Sequence, residues 1–198
     1  MTLIFFIKSE TVDITKYTIK DIPGTTGRLD VVSRCILAAI TSDNDNFEKN
    51  IQIWIFLDHY GTFIFNTEQL NYDSFPKNEL LLTDYLVNII KRNTKKDNDE
   101  DHFLDSIKVS KMKFFEAIKH FIDLNYRAFI LEENGNDFSK IDKKFNSQQN
   151  LLFIVGNQSG EVLDSKELKA LNLARISLGT QSYLASSVIR LIKLHLIL

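Results

Sequence analysis

Two stretches of this 198-residue chain carry residue types and spacings that can do chemistry. Near the N-terminus, Asp21-Ile-Pro-Gly-Thr-Thr-Gly-Arg-Leu-Asp30 sets Arg28 and Asp30 behind a glycine-bearing turn, and Arg34 follows in the next apolar run. A guanidinium can hold an anion or a carbonyl oxygen through paired N–H donors, and a carboxylate can accept a proton or orient a guanidinium. Residues two apart do not face each other on a helix, so Arg28 and Asp30 are expected at a first turn beside a cleft. A helix start that favours an acid by its dipole explains Asp30 without any catalytic role. Pro23-Gly24 reads as a tight turn, and Gly27 as a close backbone approach or a positive φ. Toward the C-terminus, Leu151-Leu-Phe-Ile-Val-Gly-Asn-Gln-Ser-Gly160 and Ala174-Arg-Ile-Ser-Leu-Gly-Thr-Gln-Ser182 each run a short strand into a glycine loop. Two such loops make a backbone-lined floor on which a cofactor can lie close to the main chain.

The elements that must hold these loops alternate. Short runs rich in Ile, Phe, Val and Leu predict strands at residues 3–7, 51–57, 62–65, 127–131, 151–155 and 174–178. Helical spacing predicts helices at 28–41, 78–92, 111–124, 165–171 and 181–197. Several strands are continuously apolar, as in a mainly parallel sheet covered on both faces, so the class is α/β. Gly135, in Asn134-Gly-Asn-Asp137, predicts a turn after the 127–131 strand, and the run 93–101 a mobile surface loop. The last helix has two apolar stripes, Leu184, Val188, Leu191 and Leu198, and Ala185, Ile189, Ile192 and Leu196. A helix apolar on most of its surface is wholly buried or shared with a partner.

Composition narrows the classes. The length suits one domain over residues 1–198, with 44% hydrophobic and 25% charged residues, seven Gly and two Pro. A net charge of -2 gives no global footprint for nucleic acid, so any RNA-binding surface must be local. The lone cysteine, Cys35, excludes an internal disulfide and a multi-thiolate zinc site, and the four histidines have no metal-ligand spacing, so no metal is expected. Lys8 and Glu10 cut short the first apolar run, unlike a secretory signal, and Arg190, Lys193 and His195 interrupt the apolar run 183–198. A cytoplasmic protein without a membrane segment is expected.

A dinucleotide site normally follows the first strand, but here the first strand runs into Lys8-Ser-Glu-Thr with no glycine. A pocket assembled from the last strands resembles the SPOUT class of RNA methyltransferases. Within that class, Asp-Ile-Pro-Gly-x-x-Gly-Arg-Leu-Asp, then Leu131-Glu-Glu-Asn-Gly135, Phe-Ile-Val-Gly-x-x-x-Gly and Arg-Ile-Ser-Leu, in this order, resemble the archaeal tRNA pseudouridine-54 N1-methyltransferase family (TrmY-like). The match covers both ends of the chain; the middle, from about residue 44 to 108, agrees only in length and pattern.

The resemblance implies a SPOUT-type sheet with helices on both faces and a C-terminal deep trefoil knot within about residues 127–198. It implies S-adenosylmethionine as cofactor, tRNA as partner and a homodimer through the knot region. Cofactor residues would be Leu131, Gly156, Gly160, Ser177, Leu178, Gly179, Thr180, Gln181, Ser182 and Val188. The acceptor would be N1 of pseudouridine, with Asp30 orienting or accepting its proton, or else serving Arg28 or Arg34, and with Arg28 holding a phosphate or carbonyl. RNA would meet Arg28, Arg34, Lys108, Lys111 and Lys113, with Lys119 beside them. The chain departs from the family where Thr180 replaces a proline and where Tyr183-Leu-Ala185 and Val188 replace a Leu-His-Ala stretch and a cysteine. Lysines at 108, 111 and 113 stand for an arginine-rich stretch, keeping charge but losing bidentate geometry. A ribosomal-RNA pseudouridine target, or an RNA-binding protein that retains the fold without catalysis, are the rival readings.

Overall fold

The computed structural model describes residues 1–95, 101–140, 149–156, 165–179 and 181–197. Among these, eight strands form one sheet: β1 (Leu3–Ser9), β2 (Ile51–Leu57), β3 (Gly61–Asn66), β4 (His102–Leu104), β5 (Ile107–Ser110), β6 (Arg127–Asp137), β7 (Leu151–Val155) and β8 (Ala174–Ser177). Their spatial order is β4-β5-β3-β2-β1-β7-β6-β8. Strands β2, β1, β7, β6 and β8 run parallel, while β3, β5 and β4 add an antiparallel flank. The sheet is therefore mostly parallel, as expected, with an antiparallel flank that makes it mixed. The flank comes from β4 and β5, short strands whose charged and polar residues hid them from a search for apolar runs.

The continuous apolarity of β1 has a simple origin. Leu3, Phe5 and Ile7 enter one core, and Ile4 and Phe6 the other, because successive side chains of a strand point to opposite faces. Helices α2 (Leu29–Ile40), α3 (Glu79–Thr94) and α6 (Ala185–Ile197) supply the first core with residues such as Leu29, Ile36, Leu86 and Ile192. Helices α4 (Phe114–Asp123) and α5 (Lys166–Ala170) supply the second with Phe114, Ile118, Phe121 and Leu168. A short turn of helix, α1 (Ile22–Thr25), precedes α2. Across the parallel strands Phe5, Phe153 and Phe129 stand in register, with neighbouring ring centroids 5.7 Å apart. Each such buried ring contributes up to about 3 kcal/mol, so the centre of the sheet is the firmest part of the molecule.

Caps set several helix boundaries. Asn78 accepts from the Leu81 amide at 2.9 Å, and Ser165 from the Leu168 amide at 3.3 Å. Helix α4 begins at Phe114, not 111, because the Glu116 carboxylate accepts the Lys113 amide at 2.9 Å and closes the first turn there. Lys111 and Lys113 thus precede the helix, and Lys108 lies on β5.

Strand β6 also differs from expectation. It continues past Leu131 to Asp137, with a register shift between Leu131 and Asn136, both of which pair with Ile176. Gly135 sits in this excursion, where an added Cβ would come 2.5–2.7 Å from the Ile176 backbone. Its meaning is a close approach of two backbones rather than a turn. Of the predicted loop 93–101, Asn93 and Thr94 belong to α3, while 96–100 lie outside the described residues.

Helix α6 starts at Ala185 rather than 181 and docks on α2 through fully buried Ile189 and Ile192. The Lys193 ammonium donates to the Ala38 and Thr41 carbonyls at 3.1 and 2.5 Å and pairs with Glu48 at 3.3 Å. A cation at the C-terminal carbonyls of α2 satisfies groups the helix itself leaves open. Leu184, just before α6, and Leu194, on it, stand 60% and 54% exposed. Among the described residues no helix is long and apolar enough to cross a membrane.

Candidate active site

The C-terminal ends of parallel strands β1, β7, β6 and β8 open onto one cavity of about 1180 Å³, the place where α/β sheets bind ligands. Its two halves come from the two ends of the chain. The N-terminal half consists of the end of β1 with Glu10 and Thr11, then Gly27, Arg28 and the outer turns of α2. The C-terminal half consists of β6, β7 and β8 residues, residues 177–179 and 181–184, and the start of α6.

The N-terminal half depends on an unusual backbone. Gly27 and Arg28 both take left-handed conformations, with φ of 57° and 72°. At Gly27 a Cβ would lie 1.7 Å from the Thr11 carbonyl oxygen, so no other residue fits. The Thr11 hydroxyl donates to the Gly27 carbonyl at 2.8 Å, and the Asp13 amide to the Thr26 carbonyl at 3.2 Å, tying the two segments together. Arg28 is a non-glycine residue held in this region, a conformation that costs energy and persists where surrounding contacts enforce it.

What enforces it is Asp30. Arg28 Nε and Nη2 donate to the two Asp30 carboxylate oxygens at 3.1 and 3.2 Å, and Arg34 Nη2 adds a bond at 3.1 Å. Arg34 also pairs with Glu79 at the start of α3, at 3.3 Å. Because Arg28 lies before the helix, the two residues do face each other, contrary to the expectation from helical spacing. Asp30 is only 4% exposed and does not line the cavity, whereas the Arg28 side chain is 44% exposed and does. The bond to Asp30 and its charge raise the Arg28 pKa still further, so the guanidinium is permanently charged. Asp30 here is the support and Arg28 the group presented. At the back of this half the Cys35 thiol, pushed up to about 12 by burial, stays neutral.

The C-terminal half is built mainly from main chain and apolar side chains. Leu131, Val155, Ile176, Leu178, Ala185 and Val188 line it, with Gly156 and Gly179 beside them. The Ser177 hydroxyl donates to the Gly179 carbonyl at 2.7 Å and accepts its amide at 3.2 Å, fixing the loop at its first turn. Gly179 has a φ of 132°, and nothing stands within 4 Å of where a Cβ would be, so it opens the wall. A nucleoside sulfonium needs apolar surface for its ring and backbone groups for its edge, and a cavity of this size and lining fits one.

Of the residues expected from sequence, Arg28, Arg34, Leu131, Gly156, Ser177, Leu178, Gly179, Gln181, Ser182 and Val188 all line this cavity. Gly160 and Thr180 lie outside the described residues. Lys108, Lys111 and Lys113 are not part of it; Lys108 pairs with Asp101 at 3.1 Å. Sequence reasoning missed Lys8 near the end of β1 and Glu10 just past it, and Glu132 and Arg175, an ion pair joining β6 to β8. Their signal was available for three of them: Lys8, Glu10 and Glu132 stand just past the C-terminal ends of predicted strands, whereas Arg175 sits near the start of one. Among the described residues no cluster of three histidine, cysteine or carboxylate side chains could hold a metal ion.

Comparison with known proteins follows the same lines. A family described as "Putative SAM-dependent RNA methyltransferase" matches residues 2–197. The chain is 28% identical over 203 residues to a tRNA (pseudouridine(54)-N(1))-methyltransferase of Pyrococcus abyssi, covering 98% of this chain and 96% of the relative. It is 25% identical over 188 residues to the protein of the same name from Thermococcus onnurineus, covering 91% and 89%. A crystal structure of Archaeoglobus fulgidus Nep1 bound to S-adenosylhomocysteine superposes with a TM-score of 0.64 at 14% identity, over 99% of this chain and 97% of that one. That likeness shows the fold. The family match spans nearly the whole chain, both strand-end loops and the arginine turn included, and on it the chain belongs to the SAM-dependent RNA methyltransferases.

Proposed function

We propose that this methyltransferase acts on N1 of a pseudouridine in tRNA, at position 54 of the T-loop, binding the nucleotide in the N-terminal half of the cavity and S-adenosylmethionine in the C-terminal half. The observation that carries the proposal is the single cavity that joins a half holding Lys8, Glu10, Arg28 and Arg34 to a half where Leu131, Gly156, Leu178 and Gly179 line strand ends. S-adenosylmethionine supplies a methyl group already activated by its sulfonium. The work left to the chain is to hold the acceptor ring in line, relieve N1 of its proton and exclude water.

In this reading Arg28 binds a phosphate of the flipped nucleotide or a carbonyl of its ring, and Asp30 and Arg34 keep the guanidinium aimed. Leu131, Gly156, Ser177, Leu178, Gly179, Gln181, Ser182 and Val188 bound the cofactor half. The region of about 127–198 holds a trefoil knot, and exposed Leu184, just before α6, and Leu194 on it belong to a homodimer interface. Lys111 and Lys113, exposed or partly exposed before α4, would neutralise phosphates of a tRNA arm, making binding fall steeply with salt. The names of the archaeal relatives support the choice of acceptor.

The test is methyl transfer from labelled S-adenosylmethionine to tRNA transcripts carrying uridine or pseudouridine at position 54. Transfer to the pseudouridine transcript alone is expected. Transfer to neither, with the cofactor still raising the melting temperature, would overturn the tRNA acceptor and direct the search to ribosomal RNA.

A further inference from the structure

Resting on the methyl-transfer reading above, we propose that Lys8 and Glu10 read the edge that distinguishes pseudouridine from uridine: Glu10 accepts the N1 proton, and Lys8 donates to the neighbouring C2 carbonyl. Both residues line the cavity on the side of Gly27 and Arg28, at the end of the central strand β1. Lys8 Nζ lies 2.6 Å from Glu10 Oε1 and 3.0 Å from Asp58 Oδ2. An ammonium has three N–H groups, so one is left for a ligand. Glu10 Oε2 bonds to no described residue, which leaves one carboxylate oxygen open to accept.

Of the other carboxylates of the region, Asp30 and Glu132 are committed. Both oxygens of Asp30 take guanidinium N–H groups, and the residue lies behind the cavity wall. Glu132 is paired with Arg175, and Glu133 stands on β6 in the cofactor half. Burial works against the Lys8 charge, but the bonds to Glu10 and Asp58 outweigh it and hold its pKa above the ordinary value. Lys8 therefore stays a cation.

The pair matches the chemistry of the acceptor. In pseudouridine the sugar is attached through carbon, so the ring presents N1–H beside C2=O; at the same edge uridine presents C5–H beside C4=O. A carboxylate oxygen gains a hydrogen bond from the first and nothing from the second. As the reaction proceeds, the N1–H bond breaks, the proton passes to Glu10 and its electron pair stays on the ring, shared between N1 and the C2 oxygen. The Lys8 charge stabilises that oxygen. The N1–methyl bond then forms as the methyl–sulfur bond breaks, with the latter pair remaining on sulfur, and neutral Glu10 returns its proton to water.

The experiment compares wild type with Glu10→Ala, Glu10→Gln and Lys8→Met. It measures tRNA binding and single-turnover methyl transfer on pseudouridine and uridine transcripts, with the S-adenosylmethionine-induced melting shift as the check of folding. Glu10→Ala should slow transfer about 10²-fold or more and erase any binding preference for pseudouridine. Glu10→Gln, which keeps an acceptor oxygen but cannot take the proton, should lose the rate and retain the preference. Lys8→Met should lose rate on pseudouridine while the melting shift persists. Should the alanine variant fail to fold, the nearly isosteric glutamine variant keeps the rate measurement decisive. Wild-type rates and preference in both Glu10 variants would overturn the assignment. Transfer by the wild type to neither transcript would overturn the pseudouridine reading itself, and this assignment with it.

Discussion

The two halves of the cavity are held in place by different means. The N-terminal half depends on charge and strain: two consecutive left-handed residues, Gly27 and Arg28, and a carboxylate clamped between two arginines. The C-terminal half depends on strand ends and a loop folded back on its own serine, with apolar side chains as filling. Charge held at fixed angles can select and polarise an acceptor, whereas a smooth backbone wall can grip a flat, uncharged ring. If that division is right, damage to one half should leave the other's ligand alone.

The largest separation should come from Gly27→Ala. Its Cβ would collide with the Thr11 carbonyl, and φ there is positive, so the acceptor half must shift. Displacement of about 1 Å costs about 10²-fold in rate, so methyl transfer should fall at least that far, while affinity for S-adenosylmethionine by calorimetry changes little. A parallel collapse of cofactor binding would break the comparison.

Asp30→Ala should follow. It releases Arg28 and Arg34 from their shared carboxylate, and kcat/KM for tRNA should drop about tenfold to hundredfold, in line with hydrogen bonds to a charged group. The cofactor-induced melting shift should survive. Ser177→Ala provides the reciprocal test. It removes the loop staple and should weaken S-adenosylmethionine about tenfold with tRNA affinity unchanged, as measured by titration of each ligand.

The smallest effect concerns pH. Tyr17, on the segment leading to the arginine turn, donates to Asp84 of α3 at 2.8 Å; burial, then that bond, pushes its pKa up to about 12. Unfolding returns it to its ordinary value near 10. Between these values the folded chain binds more protons, so stability from this group is present below pH 10 and lost as pH rises toward about 12. Tyr17→Phe should flatten that part of an alkaline melting curve and leave the neutral region with a small deficit. Tyr85, raised to about 12 by burial and Asp105, should show the same sign.

Much of the fold was legible in the chain because β1, β2 and β7 are buried on both faces and carry runs of at least five consecutive apolar residues, such as residues 53–57 in β2. Strands β4 and β5 were not, because a short edge hairpin needs little apolar surface and keeps charges such as Lys108 in solvent. The excursion in β6 was hidden for another reason: Gly135 signals either a turn or a close approach, and only the position of Ile176 decides between them. In the site, the backbone loops were readable because glycine and serine at strand ends have few other uses. The bond between Arg28 and Asp30 was not, since it depends on a left-handed residue just outside the helix, where the two-residue spacing rule stops applying.

The most direct test of the division is a crystal structure of the protein with S-adenosylhomocysteine bound. Adenosine should lie against Leu131, Gly156 and Leu178, with the sulfur turned toward the half that holds Lys8, Glu10 and Arg28, and with the Asp30 clamp unmoved. A ligand seated among Lys8, Glu10 and Arg28, or outside this cavity altogether, would contradict it.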